Sequence, residues 1–294
     1  MPQILAIKQI LIDFWQFIKK PKDIPYTGDS KSFKWKVFFS LFLFELTLLI
    51  VYIPAVVLLD KYIVLERSID STSSAIGSLF LFVLLIPFIE EVIFRLGLRR
   101  KYLIEAIFNE KAWHRWFPFF VYSSTIIFGL VHISNYANTQ WIFFALAPFI
   151  ILTQLVGGFI MAYLRVRFNF WLGFLYHAVW NFTMIFVVGF FVMLFNDDTH
   201  IKTENYELNI KEKQFSGFMK AKETTTQRDT LDNIMLIKSE GYTMIGLLDI
   251  ISPENSIYIG KPILVDFNFT AEKGISTDSL LMILENEGYI VKKK

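Results

Sequence analysis

The stretch AIGSLFLFVLLIPFIEEVIFR, residues 75–95, decides the fold. It stays apolar until it reaches Glu90-Glu91. Wound as a helix rising about 1.5 Å per residue, it is long enough to cross ~30 Å of hydrocarbon. Four more stretches read the same way: Val37–Leu59, with Glu45 its only charge, Phe117–Ser134, Trp141–Leu164 and Phe170–Phe195. The last is longer than one crossing needs, which leaves room for tilt, a kink or a re-entrant break. Composition agrees: 54% of the 294 residues are hydrophobic, 19% are charged and the mean hydropathy is +0.46. Soluble domains do not carry that excess of apolar over charged residues. The expected architecture is an all-α, multi-span membrane core of about five transmembrane helices, residues 37–195.

An amphipathic helix precedes the core. Ile4, Ile7, Leu11, Phe14, Trp15 and Ile18 recur at helical spacing, with Lys8, Asp13, Gln16, Lys19 and Lys20 between them. Lys8 and Asp13 interrupt the apolar run, so it does not read as a cleavable leader. Aromatics on one side and Lys on the other suit the plane of a membrane surface, the alternative being a helix packed on the rest of the protein. Pro21 and Pro25 end it, and residues 21–36 read as a linker, so that residues 1–36 form one segment.

Loop charges orient the spans. Lys8, Lys19, Lys20, Lys22, Lys31, Lys34, Lys36, Arg99, Arg100, Lys101, Lys111, Arg115, Arg165 and Arg167 fall on one side. Lys61 and Arg67 fall on the other, and residues 135–140 contain no Lys or Arg. The positive-inside bias places the amino terminus in the cytoplasm, the chain in the plasma (inner) membrane, and the carboxyl terminus outside. From Asn196 the sequence turns polar. Tyr206, Leu208 and Ile210 alternate with polar residues, as do Ile263, Val265 and Phe267. Ser276 or Thr277 is placed to cap a helix through Leu284, with Gly288 ending it before a strand at Tyr289–Val291. Residues 196–294 therefore read as a small, extracytoplasmic α+β soluble domain. Its strand–helix–strand pattern resembles the small modules that precede secretin and TonB-receptor domains.

Net charge is +2, which gives no reason to expect a nucleic acid partner; membrane lipids are the expected surroundings. There is no Cys, hence no disulfide framework, thiolate metal site or Cys nucleophile.

The chemistry gathers at three polar marks on three apolar segments. Glu90 and Glu91 sit near the end of a span, where a buried carboxylate costs up to about 3 kcal/mol and demands a partner or a wet cavity. Arg95 follows Glu91 by four residues, the distance at which helical side chains meet, while Glu90 is turned ~100° away. This division points to one carboxylate held in an ion pair and one facing a cavity, against the alternative of an interfacial cluster snorkelling to water. Phe128 and His132 share a face of the third span, and His177 and Asn181 share a face of the fifth. Carboxylate, imidazole and carboxamide together can activate water and stabilise the oxyanion it creates. Glu90, His132 and His177 suit zinc equally well, although no His-Glu-x-x-His pattern is present.

Glu90-Glu91-x-x-x-Arg95, Phe128-x-x-x-His132 and His177-x-x-x-Asn181, in this order, resemble the CAAX protease and bacteriocin-processing (CPBP, or Abi) membrane peptidases. The resemblance covers about residues 75–195 and implies an intramembrane endopeptidase acting on membrane-associated or lipidated protein and peptide substrates. It implies Glu90 as general base, His132 as a positioner of the water, Glu91 paired with Arg95, and His177 with Asn181 around the oxyanion. A glutamic mechanism without cofactor and a zinc-dependent one are both compatible with it; the first leaves both His as hydrogen-bonding groups. A non-catalytic immunity or scaffold protein of the same fold is the main alternative. A proton-coupled transporter is disfavoured by few spans and no inverted repeat. Elsewhere, His114 sits in a Trp-rich interfacial belt, His200 opens the polar tail, and Gly157-Gly158 permits close helix approach. Glu45 has no partner nameable from sequence.

Overall fold

The computed structural model describes residues 2–28, 31–66, 74–101, 103–195, 198–215, 224–254, 257–261 and 263–292; Arg67 and Asn196, used above, lie outside them. The chain divides into two compact units, residues 1–65 with 80–182, and residues 66–79 with 183–294.

Five helices are long and apolar enough to cross a membrane: Lys31–Asp60, Ala75–Arg95, Glu110–Asn135, Trp141–Arg167 and Phe170–Phe191. The protein is an integral, multi-pass membrane protein. Large apolar side chains that water would penalise point outward; Ile50 and Val51 are 73% and 75% exposed.

The first unit opens with α1 (Pro2–Lys19) and α2 (Lys31–Asp60). Residues 31–36, read above as linker, are the first turns of α2. Helix α1 packs on the bundle through Ile10, Phe14 and Phe17, while Trp15 stays exposed beneath the Lys19 ammonium, 5.1 Å from its ring centre. The second span is composite: α3 (Ala75–Ser78), a π-helical stretch Leu79–Leu85, and α4 (Ile86–Arg95). A short α5 (Leu103–Ile107) leads to α6 (Glu110–Val131), capped by Asn109 and closed by a 3-10 turn, His132–Asn135. The fourth span is α7 (Trp141–Ile150) and α8 (Leu152–Arg167), offset at Ile151. The fifth runs through α9 (Phe170–Phe182), a π-helical stretch Thr183–Val188, and α10 (Gly189–Phe195), so it is helical throughout rather than broken.

The core of this unit joins Val37, Phe38 and Leu41 of α2, Trp113, Phe117, Val121 and Phe128 of α6, and a long buried face of α8. Asp23 ties the N-terminal segment to it. Its Oδ2 accepts from the Trp113 Nε1 at 2.8 Å and the Arg100 amide at 3.1 Å, and its Oδ1 lies 3.1 Å from the Arg99 Nε.

The second unit contains an antiparallel sheet ordered β1-β2-β6-β4-β3, formed by Thr199–Lys202, Glu207–Lys213, Leu264–Ile275, Ile234–Thr243 and Thr224–Arg228. Two strand–helix–strand passes organise it. Strand β4 leads through α11 (Met244–Ile251) to β5 (Tyr258–Gly260), and β6 through α12 (Thr277–Asn286) to β7 (Ile290–Lys292), with β5 and β7 paired. Alternation sets the buried face: Val265, Phe267, Phe269 and Ala271 on β6 meet Leu208 and Ile210 on β2. A bulge interrupts β4 between Ser239 and Tyr242, where Gly241 takes φ +62° and donates its N–H to Asp266 at 2.8 Å. Ser276 caps α12 by accepting from the Ser279 amide, and Gly288 follows the helix at φ +73°.

Candidate active site

The approach to the site is shaped by a proline. In a π-helix the N–H of residue i+5 bonds the carbonyl of residue i. Pro87 has no N–H, so Phe82, five residues earlier, is deprived of that donor. Asn181 of α9 supplies one: its Nδ2 donates to the Phe82 carbonyl at 2.8 Å. The far end of α4 is closed by α8. The Arg165 guanidinium donates from Nε to the Arg95 carbonyl at 3.1 Å and from Nη2 to that of Leu96 at 2.8 Å. A cation at a helix carboxyl end is favourable and satisfies otherwise orphaned carbonyls. Arg99 reciprocates, donating from Nη1 to Val166 of α8 at 2.9 Å.

Between these two fixings lies the acidic pair. Glu91 and Arg95 meet across one turn at 3.5 Å, and both are fully buried. Arg95 lies over Phe128, its guanidinium carbon 3.9 Å from the ring centre, a cation–π contact strengthened by burial. Gly158 of α8 makes room for it: a Cβ there would stand 3.3 Å from the Arg95 Nη2, 3.3 Å from Phe128 and 3.0 Å from Thr125. The Gly157-Gly158 step thus serves close approach.

His177 faces both carboxylates. Its Nδ1 lies 3.1 Å from Glu91 Oε1 and its Nε2 3.5 Å from Glu90 Oε2. The two acids differ in access, the Glu90 side chain being 19% exposed and that of Glu91 1%. Glu91 is therefore enclosed between a guanidinium and an imidazole, and Glu90 opens outward.

His132 reaches this cluster by another route. Its Nδ1 is 2.8 Å from the Phe128 carbonyl, which can only accept, so Nδ1 carries hydrogen and the neutral ring keeps an acceptor at Nε2. Its ring packs edge-on against Phe128 at 4.7 Å, and Phe128 in turn meets the His177 ring at 5.8 Å. Among the described residues His132 makes no ion pair with either carboxylate. Nor is there, among those residues, a group of three or more His, Cys, Asp or Glu side chains arranged to hold a metal ion.

Helix α6 delivers His132 at a depth that hydropathy alone misplaces. It starts at Glu110 rather than at Phe117, and Ser124 donates to the Phe94 carbonyl at 2.6 Å, which aligns the end of α4 with the second half of α6. From Glu110 to Ser124 the helix rises about 21 Å, so its first turns extend past the end of α4 and its last turn falls level with the acidic pair.

Sequence reasoning missed several residues. Glu45 of α2 has a partner: the Tyr176 hydroxyl donates to its Oε2 at 2.6 Å, and both side chains are buried. The Arg165 clamp was seen only as a loop charge. His114 and His200 stay exposed beside Glu110 and Glu207 and take no part.

Residues 72–183 match the family model described as type II CAAX prenyl endopeptidase Rce1-like. This segment is similar to that family. It contains Glu90, Glu91, Arg95, His132, His177 and Asn181, in keeping with the resemblance carried by the three motifs. Helices α1 and α2 and the sheet-containing unit lie outside the match. No curated protein and no solved structure matches the chain.

Proposed function

We propose that the protein is an intramembrane endopeptidase hydrolysing peptide bonds of membrane-associated or lipidated protein substrates, with water activated by Glu90. The observation that carries this reading is the His177 imidazole set between one enclosed carboxylate and one open one, on helices of the segment that matches the Rce1-like family model. Glu90 takes a proton from water as the water oxygen attacks the scissile carbonyl carbon. The second O–H of the water stays bonded and donates a hydrogen bond to His132 Nε2, which orients the attack. The electron pair of the C=O bond moves onto oxygen. Asn181 has a second N–H beyond the one given to Phe82, and this hydrogen, with His177, serves the oxyanion. Collapse restores the carbonyl and breaks the C–N bond, and Glu90 passes its proton to the leaving amine. Glu91 and Arg95 keep His177 oriented and fix the charge around it.

The donor arrangement supports a cofactor-independent form of this mechanism. A zinc site from Glu90, His132 and His177 needs three donors converging within about 2.3 Å of one point. The described residues hold no such three-donor group, and a guanidinium already supplies positive charge, while the Nδ1–H bond of His132 to a backbone carbonyl leaves its Nε2 free under either reading. Activity is expected to survive EDTA and phenanthroline; loss on chelation that zinc restores would transfer the mechanism to the metal.

The decisive experiment uses purified protein in nanodiscs and a quenched fluorogenic peptide ending in a prenylated Cys-aliphatic-aliphatic-X box, beside an unprenylated transmembrane peptide. Glu90→Gln should lower turnover by about 10²-fold or more while leaving thermal stability unchanged. Wild-type turnover in that variant would remove Glu90 as the base. We place the amino terminus and the Arg-rich helix ends in the cytoplasm of a cell with a plasma (inner) membrane, and the sheet-containing unit outside. Impermeant labelling of a cysteine introduced at exposed Leu231 tests this, because the chain has no cysteine of its own.

A further inference from the structure

Among the described residues of the membrane unit, Glu45 is the one acid that the mechanism leaves unused although it is almost entirely buried, at 1% exposure. It lies on the α2 face formed by Val37, Leu41 and Leu49, in step with them every four residues. Its Oε2 accepts from Tyr176, and its Oε1 has no hydrogen-bonding partner among the described residues. The space it occupies exists because residue 157 is glycine: a Cβ there would come within 2.9 Å of Oε1. A buried carboxyl kept in a glycine-made niche costs stability, and its single strong contact is to the residue immediately before His177.

Tyr176 and His177 project from α9 about 100° apart. One is held by Glu45, the other by Glu91 and Glu90. Contacts at two points around a helix fix its rotation, which a single contact leaves free. Phe38 and Phe42 of α2 pack edge-on against the Tyr176 ring at 5.2 and 6.0 Å, but apolar ring contacts of this kind tolerate small rotations that a directional hydrogen bond does not.

We propose that Glu45 is a positioning residue: by holding Tyr176 it sets the rotation of α9 that presents His177 to Glu90 and Glu91. As far as it concerns turnover, this rests on the peptidase reading; the helix rotation itself does not. It also places part of the site's support outside the segment that matches the family model.

The test reads rotation and activity separately. Ile93 of α4 and Leu175 of α9 are exposed, and the chain has no cysteine, so spin labels at Ile93→Cys and Leu175→Cys report the α4–α9 distance in nanodiscs. Glu45→Leu and Tyr176→Phe should broaden that distance distribution. On the prenylated peptide they should lower kcat by about 10²-fold with little change in KM, the effect of an ångström-scale misplacement. Glu45→Gln, which still accepts from Tyr176, should restore a narrow distribution and wild-type kcat. Should Glu45→Leu fail to fold, Tyr176→Phe, which removes one oxygen, carries the same comparison. A wild-type distance distribution in the Tyr176→Phe protein overturns the proposal even if cleavage falls. Equal loss in Glu45→Gln and Glu45→Leu overturns it too. If the wild type cleaves neither peptide while the distances shift as stated, the peptidase reading fails and the positioning role stands.

Discussion

Replacing Glu91 by Gln keeps the shape of the site and removes one charge from it. The structure encloses Glu91 between Arg95 at 3.5 Å and His177 at 3.1 Å, with both pair members at or below 1% side-chain exposure. Attraction in so dry a place is offset by the cost of drying both ions, so the pair's net worth is small; the damage comes from breaking it one-sidedly. A buried guanidinium without its counter-ion costs about 3–5 kcal/mol. Two contacts soften this: the Gln amide oxygen still accepts from His177, and Phe128 still lies beneath the Arg95 cation, a contact good for about 2 kcal/mol when dry. A destabilisation of about 2–3 kcal/mol is therefore expected for Glu91→Gln. Arg95→Met should cost a similar amount by stranding Glu91. The double variant should recover most of either loss, because it leaves no buried charge unpaired, giving a coupling energy of at least about 2 kcal/mol. Unfolding in mixed micelles, followed by tryptophan fluorescence with a denaturing detergent as titrant, measures all four corners of the cycle. If the two losses simply add, Glu91 and Arg95 are not partners and the division of labour between Glu90 and Glu91 collapses.

Three other variants probe the frame around this pair. Arg165→Met strips two terminal carbonyls of α4 of their donor and should destabilise by about 1–3 kcal/mol, with hydrogen exchange rising first at residues 95–98; unchanged exchange there would show that the clamp is idle. Asp23→Asn weakens a hub accepting from Trp113 and Arg100 and facing Arg99, and should cost about 1–2 kcal/mol and expose residues 20–28 to protease; equal resistance to wild type argues against it. Gly158→Ala places a methyl against Thr125, Phe128 and Arg95 and should cost about 1–3 kcal/mol through overpacking, whereas a neutral result in the unfolding titration would mean that α8 can shift outward freely.

The sequence made the acidic pair and its imidazole legible because ionisable groups in lipid-length helices have few ways to exist, and converging on one another is the cheapest. Glu91–Arg95 followed from a helical turn, and the open role of Glu90 from the angle between neighbours. What stayed hidden was contact between residues far apart in the chain and without a periodic signature. Tyr176 and Glu45 are 131 residues apart, and one phenol among 17% aromatic residues carries no mark of its partner. Strands such as Thr224–Arg228 escaped because an exposed edge strand shows no apolar alternation.

The start of α6 shows why depth in a membrane enzyme is not read from hydropathy. The apolar run begins at Phe117 because charged residues precede it, but the helix begins at Glu110 because Asn109 caps it, accepting from the Ala112 amide at 2.8 Å. Solvent sets the first boundary and backbone hydrogen bonding the second, and the two need not coincide. Counted from Phe117, His132 lies about 22 Å along its span; with Ser124 fixed beside Phe94, Phe128 falls level with the acidic pair and His132 about one turn beyond it. Changing the cap alone thus tests what places the site: Asn109→Leu should fray the first turn of α6 without touching its apolar length. Because Trp113 and Tyr122 still anchor the helix to Asp23 and to the carbonyls of Ile18 and Lys19, His132 should keep its place and turnover should hold while stability drops by about 1 kcal/mol. Turnover lost in proportion to that fraying would mean that the depth of His132 is set from the capped end rather than by the contacts along α6.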